Sequence, residues 1–142
     1  MDIASEFKDY CNSKAKDVDF VESHLSTKLS DEPGELLNQL RDIEAWGAYM
    51  GIVESEAEAY LDRAKFVFLE LPDITKVKTS KDREIALDAQ IWPFRAYRDH
   101  VRVLNKAINS RIMTALGILR YMRAVPDGDP GMGNPRNIFK GK

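Results

Sequence analysis

The segment Pro93-Phe94-Arg95-Ala96-Tyr97-Arg98-Asp99-His100-Val101-Arg102-Val103-Leu104-Asn105-Lys106-Ala107-Ile108-Asn109-Ser110-Arg111-Ile112-Met113-Thr114-Ala115-Leu116-Gly117-Ile118-Leu119-Arg120-Tyr121-Met122 carries the clearest periodicity in the chain. Phe94, Tyr97, Val101, Leu104, Ile108, Ile112, Ala115, Leu119 and Met122 follow one another in steps of three and four throughout. That spacing puts all nine on one stripe of a helix, so the segment predicts a long helix with a single apolar seam. Upstream, Thr79-Ser80-Lys81-Asp82 is a start signal, a hydroxyl followed three residues later by a carboxylate. The helix opened there is expected to run over 80–124 with an interruption at Pro93, because proline lacks the amide that the preceding turn needs.

A second seam lies before it. Leu36, Leu40, Ile43, Gly47, Met50, Ala57, Leu61, Ala64, Phe68 and Leu71 repeat in the same steps with one gap, at Glu54. Ser30-Asp31-Glu32-Pro33-Gly34 supplies its start and Leu71-Pro72-Asp73 its end, giving an expected helix over 34–71 and a loop over Ile74 to Lys78. Two long seams joined by a short connection read as an antiparallel helical hairpin. Ser5 to Leu29 is helix-compatible, with Phe7, Tyr10, Val18, Val21 and Leu25 as apolar points. The expected fold is therefore all-α: a helical domain over 1–124 made of a long antiparallel hairpin and an additional N-terminal helical segment. Seams of this length predict side-by-side assembly into a homo-oligomer larger than a dimer. Residues 125–142, rich in Pro and Gly and basic from Arg136 to Lys142, are expected to form a flexible tail, either a frayed end or a partner-docking peptide.

With 44% hydrophobic and 31% charged residues in 142, the composition is that of a folded domain and not of a disordered chain. No run of about 18 uncharged apolar residues exists and the N-terminus lacks a signal-peptide pattern, so the expectation is a cytoplasmic protein with no membrane partner. The net charge of −2 hides an asymmetry: residues 1–71 carry 7 basic and 16 acidic groups, and 72–142 carry 14 basic and 7 acidic. Such a split serves attraction between the halves, attraction between subunits, or a basic surface for a polyanion.

Parts for catalysis are scarce. His24 and His100 fall in no metal-ligand spacing, and Asp127-Gly128-Asp129 begins like a calcium loop that Pro130 spoils. Glu54, Glu56 and Glu58 read as a solvated acidic face, Cys11 as a buried small hydrophobe, and no glycine-rich phosphate loop is present. The reading is a non-enzyme without cofactor or metal. Two basic groups remain. Arg95, Arg98 and Arg102, with Lys106 beyond, share a stripe beside the second seam, near Trp92, Tyr97 and Tyr121; it either faces a flexible phosphate backbone or pairs with the acidic first long helix. Lys76, Lys78, Lys81 and Arg83 lie in and beyond the connection, with Arg63 and Lys65 near the end of the preceding helix, and together suggest a cationic hairpin tip.

Over roughly residues 17–123 this arrangement resembles the UvsY recombination mediators of tailed phages. The resemblance rests on Ile43-Glu44-Ala45-Trp46, Tyr60-Leu61-Asp62-Arg63-Ala64-Lys65, Lys78-Thr79-Ser80-Lys81-Asp82-Arg83, Ala107-Ile108-Asn109-Ser110-Arg111 and Leu119-Arg120-Tyr121-Met122-Arg123, in that order. It implies a protein that binds single-stranded DNA, helps load a RecA-like recombinase onto strands covered by single-strand-binding protein, and assembles into a ring. In that family a Lys-x-Arg pair near the end of the first long helix contacts DNA. Its nearest match here is Arg63 and Lys65, with the two basic types exchanged and Asp62 beside them. The competing reading from the residues is a small helical phage or mobile-element protein that binds and inhibits a host protein through its acidic N-terminal half.

Overall fold

The computed structural model describes residues 2–124, so the expectations for the tail over 125–142 lie outside the described residues. Four helices account for nearly all of the described chain: α1 (Ile3–His24), α2 (Pro33–Leu69), the single turn α3 (Pro72–Thr75) and α4 (Ser80–Ala124). No strand occurs among the described residues. At 1.5 Å per residue the 37 residues of α2 span about 55 Å and the 45 of α4 about 67 Å, whereas the 22 of α1 span about 33 Å. The architecture is a long antiparallel α2–α4 hairpin with a shorter helix laid along its middle and its connected end.

The local chemistry explains the boundaries. Asp2 caps α1 by accepting from the Ser5 amide at 2.7 Å. At the start of α2 the cap is Glu32, whose carboxylate accepts from the amides of Gly34 at 3.0 Å and Glu35 at 2.6 Å, with Pro33 in the first turn where an amide has no partner. Thr79 Oγ1 accepts from the Asp82 amide at 3.2 Å and opens α4 as its sequence implies. The expected loop over 74–78 is shorter than anticipated, because Pro72 at a first helical position nucleates α3, which buries Ile74.

The two seams meet. Leu36, Leu40, Ile43, Met50, Ala57, Leu61 and Ala64 of α2 and Phe94, Val101, Leu104, Ile108, Ala115 and Leu119 of α4 are all buried. Val53, three residues after Met50 and four before Ala57, fills the seam step that the sequence expectation left as a gap at Glu54, and it is fully buried beside Val18 and Val21 of α1. The gap at Glu54 is equally specific: its carboxylate accepts from Asn105 Nδ2 at 2.6 Å, a polar pair that fixes the register of α2 against α4. Gly47 sits where the helices approach most tightly, since a Cβ there would lie 3.2 Å from Ile108 Cγ2. Near the connected end, Phe7 of α1 stacks on Phe94 with ring centres 4.4 Å apart, beside Tyr10, Tyr60 and Tyr97. Of these, the Tyr97 hydroxyl finds no hydrogen-bond partner among the described residues, and burial pushes its pKa up to about 12.

Pro93 does not interrupt α4, contrary to the sequence expectation: the helix runs through it from Ser80 to Ala124. Pro93 and Ala89, the residue whose carbonyl loses its donor, are both exposed, so water satisfies that carbonyl and the cost is limited to the missing bond and ring crowding. Pro93→Ala therefore raises the unfolding free energy by up to about 3 kcal/mol, read as an increase in the urea midpoint with unchanged slope.

Candidate nucleic-acid interface

The nine basic residues singled out in the sequence divide into three environments. The first is the stripe on α4. Arg98, whose side chain is only 14% exposed, donates to Glu58 at 2.9 Å and to Asp99 at 2.7 Å. Arg102 reaches Glu58 at 3.3 Å and Glu54 at 3.5 Å, and Arg95 pairs with Asp88 at 3.0 Å. Arg98 and Arg102 are thus committed to holding α4 against the acidic flank of α2, whereas the Arg95 pair lies within α4. Hydrogen bonding from Arg98 holds the Glu58 carboxyl below the ordinary carboxylate value of 4.5. That contribution is present at neutral pH and is lost as pH falls through the lowered value.

The second environment is the end of α2. Arg63 donates to Glu6 of α1 at 3.1 Å and lies 5.5 Å from the Tyr60 ring centre, so it ties α1 to the hairpin. Lys65, two residues on, is half-buried on the other flank of α2 and forms no ion pair among the described residues. Arg63 and Lys65, paired in the sequence expectation, therefore point to opposite flanks.

The third is the turn itself. Lys76, Lys78 and Lys81 are exposed and form no ion pair among the described residues. Arg83 bonds back to the Val77 carbonyl at 2.9 Å and stiffens the segment that carries Lys76 and Lys78. Glu70, Asp73, Asp82 and Glu84 lie in the same part of the chain, so the tip is a surface of mixed charge whose lysines remain free to bind. Exposed apolar side chains flank it: Phe66 at 73%, Trp92 at 62%, and Ile85 and Leu69.

Sequence reasoning passed over the lower half of α4. Between His100 and Arg123 that helix carries Arg102, Lys106, Arg111, Arg120 and Arg123 and not one acidic residue. The signal was available, but it is an absence of carboxylates and not a spacing of bases. Sequence reasoning also missed a cleft of about 210 Å³ between the end of α1, the 25–32 connection and α2, walled by Phe20, His24, Leu29, Ile43 and Trp46, with Asp42 and Arg111 at its edge. Gln39 fastens that connection, accepting from the Ser30 amide at 2.7 Å and donating to the Lys28 carbonyl at 3.1 Å.

Among the described residues no cluster of His, Cys, Asp or Glu is placed to hold a metal ion, and no helix is long and apolar enough to cross a membrane. Burial pushes the Cys11 thiol up to about 11, so it stays protonated at neutral pH. No protein-family model, no curated protein and no solved structure matches the chain.

Proposed function

We propose that this protein binds single-stranded DNA without sequence preference and serves as a recombination mediator, helping to load a RecA-like recombinase onto strands covered by single-strand-binding protein. The observation that carries the reading is the set of three exposed lysines without an ion pair among the described residues, Lys76 and Lys78 on the connection between α3 and α4 and Lys81 in the first turn of α4, at one end of the hairpin. Ammonium groups on such a turn meet phosphates as point charges and tolerate any base sequence. Lys65 and Arg83 extend the same end. Arg63, Arg95, Arg98 and Arg102 position helices in this reading and contribute to DNA only indirectly. Fluorescence anisotropy with a labelled single-stranded oligonucleotide over a salt series tests it, and absence of binding at about 50 mM salt sinks it.

Assembly into a homo-oligomer belongs to the same proposal, but on different grounds from those the seams suggested. Both seams are consumed within one chain, so subunits must meet through the outer faces. On α2 that face runs through Ala48, Gly51, Ile52, Ser55, Ala59 and Phe66, small in its middle; on α4 it runs through Ile85, Trp92, Ala96 and Val103. The two faces point in opposite directions from the hairpin, and both carry mixed charge, Glu44 and Asp62 beside Arg41 and Arg63 on α2 and Lys81 and Lys106 beside Asp88 and Asp99 on α4. Contact between two unlike faces is head-to-tail, which closes into a ring when the rotation permits. Gly51 tests this. A Cβ there meets nothing within 4 Å in the chain, so Gly51→Ala stabilises the isolated subunit by about 1 kcal/mol. If a neighbouring helix packs on that face, the same methyl lowers the assembly mass seen by light scattering. Unchanged mass places the interface elsewhere.

A second reading has its own support. The aromatic cleft beside Phe20 and Trp46 lies on the acidic N-terminal half and accommodates one large apolar side chain of a protein partner, as a host-protein inhibitor requires. Failure of DNA binding together with stable capture of a host protein that Trp46→Ala abolishes favours it.

A further inference from the structure

We infer that the acid-free half of α4 forms a second track for single-stranded nucleic acid, continuing the path that begins at the hairpin tip. The inference rests on the DNA-binding reading and extends it by naming a surface that the tip does not include. Lys106, Arg120 and Arg123 are exposed, and none forms an ion pair among the described residues. Lys106, Asn109, Met113, Gly117 and Arg120 follow in steps of four, three, four, four and three from Arg102, so they share one face of the helix.

What stands between the bases suits a backbone that must come close. Asn109, Ser110, Thr114 and Gly117 are small or polar and exposed, and a Cβ built on Gly117 meets nothing within 4 Å. Met113, 63% exposed among them, offers a soft apolar contact to an unstacked base without reading its edge. The carboxylates that could neutralise the track are occupied or turned away. Glu35 accepts from Ser30 at 2.9 Å, and Asp42 lines the aromatic cleft on the opposite flank with Arg111. Glu44 is the one acidic residue of this part of α2 that helical spacing leaves on the same side. Arg102, the upper end of the stripe, is tied to Glu54 and Glu58 and marks where the free bases begin.

The helix sets the distances. Lys81 at the tip and Lys106 are about 38 Å apart along α4, and Arg120 lies about 21 Å further. A strand held at both places is bound by two weak patches joined by its own backbone, so the second contact is intramolecular and affinity rises with oligonucleotide length. A lipid surface also attracts bases, but the polar and small residues between Lys106 and Arg120 present one exposed large apolar side chain, Met113, too little for an interfacial helix.

The test compares a 6-nucleotide and a 30-nucleotide oligo(dT), about 20 and 100 Å long at the stacked spacing of 3.4 Å. Wild type should bind the longer strand at least about tenfold more tightly, and Lys106→Glu with Arg120→Glu should remove that gain while leaving the shorter strand's affinity unchanged. Arg120→Glu with Arg123→Glu, further from the outer-face residue Val103, carries the comparison if the first variant alters the assembly mass. Unchanged affinity of both variants for the 30-nucleotide strand overturns the second track. So does loss of binding to phosphatidylserine vesicles with the 30-nucleotide affinity intact, which assigns the face to lipid. Failure of the tip reading shows differently, as no binding of the 6-nucleotide strand while the longer one is still held.

Discussion

Met50→Ala lowers the unfolding free energy by about 4 kcal/mol, read as a fall in the urea midpoint. Met50 is fully buried at a level where all three main helices meet, with Val18 and Val21 of α1 on one side and Val101, Leu104 and Ile108 of α4 on the other. Truncation there removes apolar atoms from water-free contact with each helix and leaves a cavity that three rigid rods close only by shifting together. The Asn105 amide also donates to the Met50 carbonyl at 3.1 Å, so such a shift strains a polar contact as well. Set against a typical total of about 5–15 kcal/mol, the loss leaves a marginal fold. Met113→Ala, the same change on an exposed position of α4, stays within about 0.5 kcal/mol and provides the control.

The hairpin was legible because its information is periodic. Each seam position is apolar or glycine at a step of three or four, and the proline start at Pro33 and the hydroxyl start at Thr79 are local chemistry that needs no partner to be recognised. The features that escaped depend on what lies across the interface. Val53 stands three after Met50 and four before Ala57 and so continues the seam, but the step to Glu54 competes with it until α1 and α4 are seen to close over Val53. Glu54 looks like a flaw in the seam until Asn105 is placed opposite it. Pro93 reads as a break because its missing bond is visible in sequence, whereas the solvent that satisfies the Ala89 carbonyl is not.

The candidate site was legible in part, for an electrostatic reason. Spacing shows which bases share a face but not which carboxylates face them. Glu58 captures Arg98 and Arg102 from 40 and 44 residues away along the chain, and Glu6 captures Arg63 from 57 away. Among the candidate bases, those that form no ion pair among the described residues include the lysines on the turn and Lys106, Arg120 and Arg123 on the half of α4 that lacks carboxylates. Part of the charge asymmetry between the two halves of the sequence, that carried by Arg98 and Arg102, is accordingly spent on registering α4 against α2. Only the remainder acts outward.

Replacing Lys76, Lys78 and Lys81 together by Ala weakens binding to a short single strand by on the order of a hundredfold in about 50 mM salt. The estimate follows from counterion release. Each phosphate neutralised contributes about −0.7 to the slope of log K against log salt, so three lysines contribute about −2, and the stabilisation they add is largest where salt is most dilute. The triple variant therefore loses affinity for all sequences alike and shows a shallower slope, whereas a change at a base-reading residue would affect some sequences and not others. Arg98→Ala behaves in the opposite way. It leaves Glu58 without the guanidinium that donates to it at 2.9 Å, so thermal stability falls while the salt slope is retained. An unchanged slope in the triple-lysine variant, with the fold intact, removes the tip as a phosphate-binding surface and leaves the acidic, aromatic half of the molecule as the face through which it works.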